Sequence, residues 1–424
     1  MGTHLPLNIL FVVPYAPTPI RTRPYHEILG LAELGHRVTV ATLWSSPAER
    51  DAAAVLQGLR GGLVGEPLGR LRPLWNCARA LLTADPMQAH FSWHPALARR
   101  LTRMVDEGAF DVVHVEHLRG ARYGLALLDR RQRSGGRRPP IVWDSVDCIS
   151  TLFRRAARES ATRRVRLAAR LELARTERYE GRMAPLFDRV LVSSAEDRRD
   201  LVALAPLGCR DGLGSRLNVV PNGVDLEGFA PAGDAREPST LVMTGKMSYH
   251  ANATAAIRFV HDVMPAVWAR RPDARLVIVG QNPPREVTSL AHAGDGGAPG
   301  ARGGRRVVVT GTVDDIRPYL RTAALAVAPI QYAVGIQNKV LEAMACGTPV
   351  IATPQAVTAL SARDGEEVLV GRSAKELADA VVALLGDPER REGLGRAGRS
   401  WVERHHSWPG IARQLADIYR DTIG

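Results

Sequence analysis

The chain has 424 residues, 45% of them hydrophobic and 24% charged, which suits two globular domains and excludes a disordered, collagen-like or low-complexity protein. Its 56 Lys and Arg against 44 Asp and Glu leave a net charge of +12, which favours anionic partners, while 5% aromatic residues argue against stacking platforms for single-stranded nucleic acid. The scattered Cys77, Cys148, Cys209 and Cys346 offer no disulfide framework and no metal-ligand spacing, and read as packing thiols in a reducing compartment.

Short apolar runs alternate with helical patterns along the chain, the signature of parallel sheets with crossover helices. The run at 7–13 has no basic flank before it and reads as a first strand rather than a signal peptide. Further strands are expected at 38–42, 112–116, 141–144 and 189–193, then at 240–244, 275–279, 307–310, 325–329, 349–352 and 368–370. They are continuous Val/Ile/Leu runs, as expected of strands covered on both faces. Helices are expected at 26–34, 253–269, 339–345, 374–385 and 409–419, most of them stopped by Gly or Pro. The Gly- and Pro-rich stretch 203–222 reads as an interdomain linker, and 294–305 as a surface insertion. The expected organisation is a domain over 1–215, a second over 216–400, and a C-terminal helix over 401–424 that crosses back. No run approaches the ~18 apolar residues that span a bilayer, so a cytoplasmic location is expected.

Ten arginines between 153 and 183 stand against four glutamates, half of the whole charge excess in 31 residues. A solvated helix face is the plain explanation; peripheral contact with an anionic membrane is the sharper one. No helix-turn-helix or finger pattern accompanies the charge, so no specific nucleic acid is expected.

The chemistry concentrates in 335–350, Gly-Ile-Gln-Asn-Lys-Val-Leu-Glu-Ala-Met-Ala-Cys-Gly-Thr-Pro-Val. A helix is expected to open near Asn338, a good N-cap type, and its first N–H groups form a natural phosphate seat. Gly335 allows close backbone approach, Lys339 adds a cation in the first turn, and Glu342 follows on the same face, where a carboxylate suits a ribose diol. A surface Lys–Glu pair beside a Gly stop is the alternative. Gly245-Lys246 after the 240–244 strand, Gly280-Gln281, and Thr310-Gly311-Thr312-Val313 add glycine-ended strands and a second lysine. Together they indicate a nucleotide-diphosphate site.

With Val220-Pro221-Asn222-Gly223-Val224-Asp225, Thr244-Gly245-Lys246-Met247, Thr310-Gly311 and the 335–350 block, the chain resembles the retaining glycosyltransferases of the bacterial group 1 family. The Gly335–Ala345 form, with Arg21-Thr22-Arg23-Pro24-Tyr25-His26 and Trp143-Asp144-Ser145-Val146-Asp147, is most similar to sugar transferases of exopolysaccharide and PEP-CTERM systems. The resemblance implies the GT-B architecture of the α/β class, with two facing Rossmann-like domains and a cleft between them. It implies an acceptor-binding first domain and a second domain that binds a nucleotide-diphosphate sugar, which is transferred with retention to a glycan, lipid-linked or small-molecule acceptor. A non-catalytic, hydrolytic or epimerising relative is the alternative. Glu342 would hold the ribose, and Lys339 and Lys246 would neutralise the leaving diphosphate. Gly335, Gln337 and Asn338 would line the sugar and phosphate seat, and Gly245, Gly280 and Val313 would lie around it and the base. His117 would face the transferred sugar, and His26, Asp144 and Asp147 are the acceptor-side candidates. No metal or other cofactor is expected, because protein cations stabilise the leaving group. The sequence departs from the family at Val334, where the first glutamate of a pair would stand.

Overall fold

The computed structural model describes residues 5–108, 110–134, 139–159, 163–231, 233, 235–292, 305–332 and 335–424, with the side chains of 133, 134, 159 and 163–165 left aside. Val334 and nearly all of the 294–305 insertion lie outside these residues. The chain forms two compact units, residues 1–222 with 408–424, and residues 223–407.

The first unit is built on seven parallel strands: β1 Asn8–Val13, β2 Arg37–Trp44, β3 Leu63–Pro67, β4 Val112–Glu116, β5 Ile141–Val146, β6 Arg189–Val192 and β7 Leu217–Val219. Their order is β3-β2-β1-β4-β5-β6-β7, so the winding reverses between β1 and β4. Ile9 of β1 pairs with Val38 on one side and Val112 on the other. Residues 9–13 are all fully buried, as their unbroken apolar run requires. Helices α1 Thr22–Glu33, α2 Leu71–Ala80, α3 His117–Ser134, α4 Ile149–Glu159 and α5 Arg163–Met183 belong to this unit.

The second unit carries six parallel strands: β8 Glu237–Thr244, β9 Arg275–Val279, β10 Val307–Gly311, β11 Ala323–Ala328, β12 Val350–Ala352 and β13 Leu369–Val370. The order β10-β9-β8-β11-β12-β13 reverses between β8 and β11. Its helices include α6 His250–Arg258, α7 Asn338–Ala345, α8 Ala374–Gly386 and α9 Pro388–His405. The last helix, α10 Trp408–Ile423, returns to the first unit. It crosses α1 so closely that a Cβ on Gly30 would stand 2.7 Å from the Ala412 Cβ. Two parallel Rossmann-like sheets with a returning C-terminal helix are the GT-B fold class expected from the resemblance.

Several expectations need correction. The stretch 203–222 is not a linker: it contains a helix, Arg210–Arg216, and β7, which extends the first sheet. The unit boundary therefore falls after Asn222 rather than at 215, and the second boundary after Ser407 rather than at 400. β3 escaped notice because its Gly65 and Glu66 break the apolar run of an edge strand. The helix expected at 253–269 begins at His250 and is interrupted by a π turn, Phe259–Val263, ahead of Pro265. Cys148 and Cys346 are buried packing thiols, whereas Cys77 is half-buried and Cys209 exposed.

Candidate functional site

In sheets wound in two directions, ligands bind beyond the carboxyl ends of the strands where the order reverses. In the second unit that point lies between β8 and β11. β8 runs into Gly245, whose φ of +150° admits few side chains. The Gly245 N–H donates to Val279 O (3.1 Å), and the Gly280 N–H donates to Gly311 O (3.2 Å). The ends of β8, β9 and β10 are thus joined through three glycines. A Cβ on Gly280 would fall 1.7 Å from Gly245 O, so no larger residue fits this backbone.

After β11 the chain reaches Gly335 (φ +66°) and enters α7 at Asn338. The cap residue is Gln337, one before the Asn338 expected, and its side chain makes no capping hydrogen bond. The first amides of a helix can hold an anion. Lys339 donates from Nζ to Asn252 Oδ1 (2.7 Å) and to Gln337 Oε1 (3.4 Å), and Gln337 Nε2 donates to Gly335 O (3.4 Å). Asn252 Nδ2 in turn donates to Lys246 O (2.9 Å). Asn252 therefore ties the α7 start to the β8 end, while the Lys246 side chain stays exposed. Burial pulls the Lys339 ammonium down to about 8, with Glu342 pulling the other way. Burial pushes the Glu342 carboxyl up to about 7, and Lys339 opposes it. Among the described ion pairs none joins these two, so they do not form the surface pair that was the alternative. Val313 is half-buried just past the end of β10 and packs on the core of this unit.

In the first unit the reversal lies between β1 and β4. His117 follows β4 directly with φ +63°, and Val146 ends the neighbouring β5 with φ +66°. A left-handed β-branched residue is a genuine outlier, and such strain concentrates at functional sites. The Arg119 N–H donates to His117 Nδ1 (3.2 Å), which places the proton of the neutral ring on Nε2. Burial holds that ring neutral, its pKa pulled down to about 4.

The acceptor-side candidates separate. Asp144 is fully buried; its Oδ2 accepts from Arg23 Nε (2.9 Å) and Nη2 (2.8 Å), and its Oδ1 accepts from the Val146 N–H (2.9 Å). It anchors the strained turn instead of facing a ligand. Arg23 Nη1 continues to Val220 O and Asn222 Oδ1 (3.0 Å each). Glu27, His114 and Asp144 come close enough together to hold a metal ion, but Arg23 already brings a positive charge there, 3.3 Å from Glu27 and 2.8 Å from Asp144. Asp147 accepts from Ser193 Oγ (3.0 Å), and burial pushes it up to about 6, with Asp197 adding to the shift. His26 stacks on Trp408 (ring centroids 5.0 Å apart), at the crossing of α1 and α10. Sequence reasoning missed two residues. The sequence gives Asn252 no role, and Arg23 stands only as part of a motif; an arginine followed four residues later by a glutamate on an apolar helix is the available signal for a buried pair.

Family models match both units: Glycosyltransferase Family 4 over residues 22–227 and Glycosyl transferases group 1 over 238–387. A phosphatidyl-myo-inositol mannosyltransferase of Mycobacterium tuberculosis is 26% identical over 354 residues, covering 79% of this chain and 80% of that protein. The structure of sucrose-phosphate synthase from Thermosynechococcus elongatus superposes with a TM-score of 0.65 at 19% identity, covering 98% of both chains. The Anabaena HepE structure in complex with UDP-glucose gives 0.62 at 12% identity, covering 98% of this chain and all of that one. Two Rossmann-like sheets, glycine-joined strand ends and a helix start beside a half-buried lysine meet two glycosyltransferase family models that together span most of the chain: it is a nucleotide-sugar-dependent glycosyltransferase whose second unit matches the group 1 family.

Proposed function

We propose that the second unit holds the donor by its diphosphate at the start of α7, and that the sugar passes with retention to a lipid-linked acceptor. The observation that supports this best is the Lys339–Asn252–Lys246 connection, which fixes a cation in the first turn of α7 beside the end of β8. Departure of a nucleoside diphosphate builds negative charge on its oxygens, and preorganised donors aimed there stabilise the transition state. Lys339, Lys246 and the α7 amides supply that field without a metal. Gln337 orients Lys339, Glu342 accepts from the ribose hydroxyls, and Gly245, Gly280 and Val313 leave room for the base. His117, neutral with its proton on Nε2, donates a hydrogen bond to the transferred sugar instead of acting as a base. Asp147 and His26 contribute on the acceptor side, and Asp144 holds the backbone beneath them. The lipid-linked acceptor is favoured by the name of the mycobacterial relative, and an exopolysaccharide setting by the Gly335–Ala345 motif.

Contact with an anionic membrane through 153–183 forms part of the proposal. Within that segment Arg154 pairs with Glu177 (2.8 Å) and Arg175 with Glu172 (3.4 Å), so part of its charge is balanced internally. The experiment is calorimetric titration with nucleoside diphosphates, followed by transfer assays on a panel of nucleotide sugars. Lys339→Ala lowers turnover far more than affinity for the free nucleoside; equal losses in both would remove it from the leaving-group site.

A further inference from the structure

Helices α2 and α5 of the first unit are built inside out. In α2 the inward residues are Asn76 and Ala80, and Asn76 Nδ2 donates to Phe91 O (3.2 Å) and Trp93 O (2.9 Å). The large apolar side chains face away: Leu74 is 67% exposed, Trp75 63%, and Leu82, just past the helix end, 89%. In α5 the buried positions include Glu172, Thr176 and Glu180, whereas Leu167 and Leu171 are 61% and 67% exposed. Soluble helices place these residue types the other way round. The two helices meet. Arg175, one turn beyond Leu171, donates to Ala80 O (2.8 Å) and to Thr83 O, and the Met87 N–H donates to Glu172 Oε2 (2.8 Å). The Leu81–Leu82 end of α2 therefore lies beside the Leu171 turn of α5, and the leucines with Trp75 form one apolar surface.

Its rim is basic. Residues 67–84 contain Arg70, Arg72 and Arg79 and no acidic residue, and Arg170 and Arg178 are exposed on α5. Apolar side chains set among arginines, with a tryptophan of amphipathic character, match the boundary between acyl chains and negatively charged headgroups. We infer that α2, with the Leu167–Leu171 turn of α5, is an interfacial element that seats the first unit on an anionic phospholipid bilayer. The inserting element is thus α2 rather than the arginine-rich segment alone, whose charge completes the rim. This rests on the lipid-linked acceptor proposed above for its purpose, and its test is independent of sugar transfer.

The full-length protein is sedimented with sucrose-loaded vesicles of phosphatidylcholine, with and without phosphatidylglycerol. The wild-type chain pellets with the anionic vesicles, and Leu74→Asp with Leu82→Asp lowers its partition by about tenfold or more. Both positions are exposed, so circular dichroism and donor binding stay as in the wild type. Brominated lipid quenches tryptophan fluorescence in the wild type, and Trp75→Phe loses part of that quenching, which marks insertion rather than surface charge. The inference is overturned if the wild type stays in the supernatant, if it binds neutral vesicles equally well, or if the double variant pellets unchanged. It is equally overturned if the wild type sediments as a dimer that the double variant dissolves, since the surface then belongs to a second copy. Loss of nucleotide binding with vesicle binding intact would sink the donor site and leave this surface standing.

Discussion

Lys339 Nζ lies 2.7 Å from Asn252 Oδ1, and Asn252 Nδ2 lies 2.9 Å from Lys246 O, so one buried amide sets both the cation and the strand end it serves. Removing it leaves a half-buried ammonium short of an acceptor and a carbonyl short of a donor. Such losses cost about 1–3 kcal/mol. Asn252→Ala is expected to lower kcat/KM by roughly one to two orders of magnitude, with a smaller loss of thermal stability. Asn252→Asp keeps the acceptor for Lys339 and recovers part of the activity. Steady-state kinetics on the two variants check this; equal activity in both would show that Asn252 only fills space.

The pH profile follows from the neighbouring pair. Glu342, raised to about 7 by burial, is protonated below that pH and cannot serve as a carboxylate acceptor for a diol. Lys339, lowered to about 8, loses its charge above it. Donor kcat/KM is therefore expected to rise as pH passes about 7 and fall as it passes about 8, a narrow bell for the free enzyme. Glu342→Gln removes the acidic limb and leaves the alkaline one. A profile of Glu342→Gln that retains the acidic limb would assign that limb to another group.

Gly280→Ala tests the joined strand ends. Its Cβ would stand 1.7 Å from the Gly245 carbonyl oxygen, and a backbone atom cannot swing aside as a side chain does. Overpacking of this kind costs ~1–3 kcal/mol or more. Thermal unfolding is expected at a clearly lower temperature, with weaker nucleoside diphosphate affinity because β8 and β9 are pushed apart. Gly208→Ala, where a Cβ meets nothing within 4 Å, is the matched control and leaves both unchanged.

Much of this architecture was legible because buried parallel strands write themselves as apolar runs. The bounds of β4 and β9 match the expected ones residue for residue, since each run is short and ends at a polar or glycine residue. The proposed donor side is drawn from features of the same local kind: glycines at strand ends and a lysine in a first helical turn. What stayed hidden depends on distant partners. Asn252 gains its meaning from Lys339, 87 residues away, and Arg23 from Asp144, 121 residues away. Asp144 looked like an acceptor ligand because a carboxylate at a strand end does so until the arginine that fills it is seen. The outward face of α2 is not legible in the sequence, because an apolar helical pattern looks the same whichever way it points.

The Arg23 cluster predicts a second pH effect, on stability. Glu27 is fully buried and makes a 3.3 Å contact with Arg23, but that guanidinium is committed to Asp144, so burial holds the Glu27 carboxyl well above the usual range. A carboxyl raised on folding contributes stability that is present at low pH and lost as pH rises through its folded pKa. Glu27→Gln, which imitates the protonated form, should therefore unfold near the wild-type temperature below about pH 4.5 and increasingly above it as pH rises from there through about 8. Arg23→Ala leaves the buried Asp144 carboxylate without its counter-charge and is expected to cost about 3–5 kcal/mol. Thermal melts across pH decide both. A Glu27→Gln variant that is less stable at every pH would mean the carboxylate is ionised and held by Arg23.

His117 separates backbone strain from chemistry. Its φ of +63° suits asparagine, which tolerates the left-handed region, and opposes valine. His117→Asn is therefore expected to keep the melting temperature, while the lost Nε2 donor lowers kcat and leaves donor KM nearly unchanged. His117→Val should lower kcat and the melting temperature together, since a β-branched residue there adds about 1–3 kcal/mol of strain. The neutral ring also predicts that mutation of His117 leaves the limbs of the pH profile near 7 and 8 in place, because its own titration lies near 4. If the acidic limb vanished with His117, the ring would be the base of an inverting transfer, and the retaining assignment would fall with it.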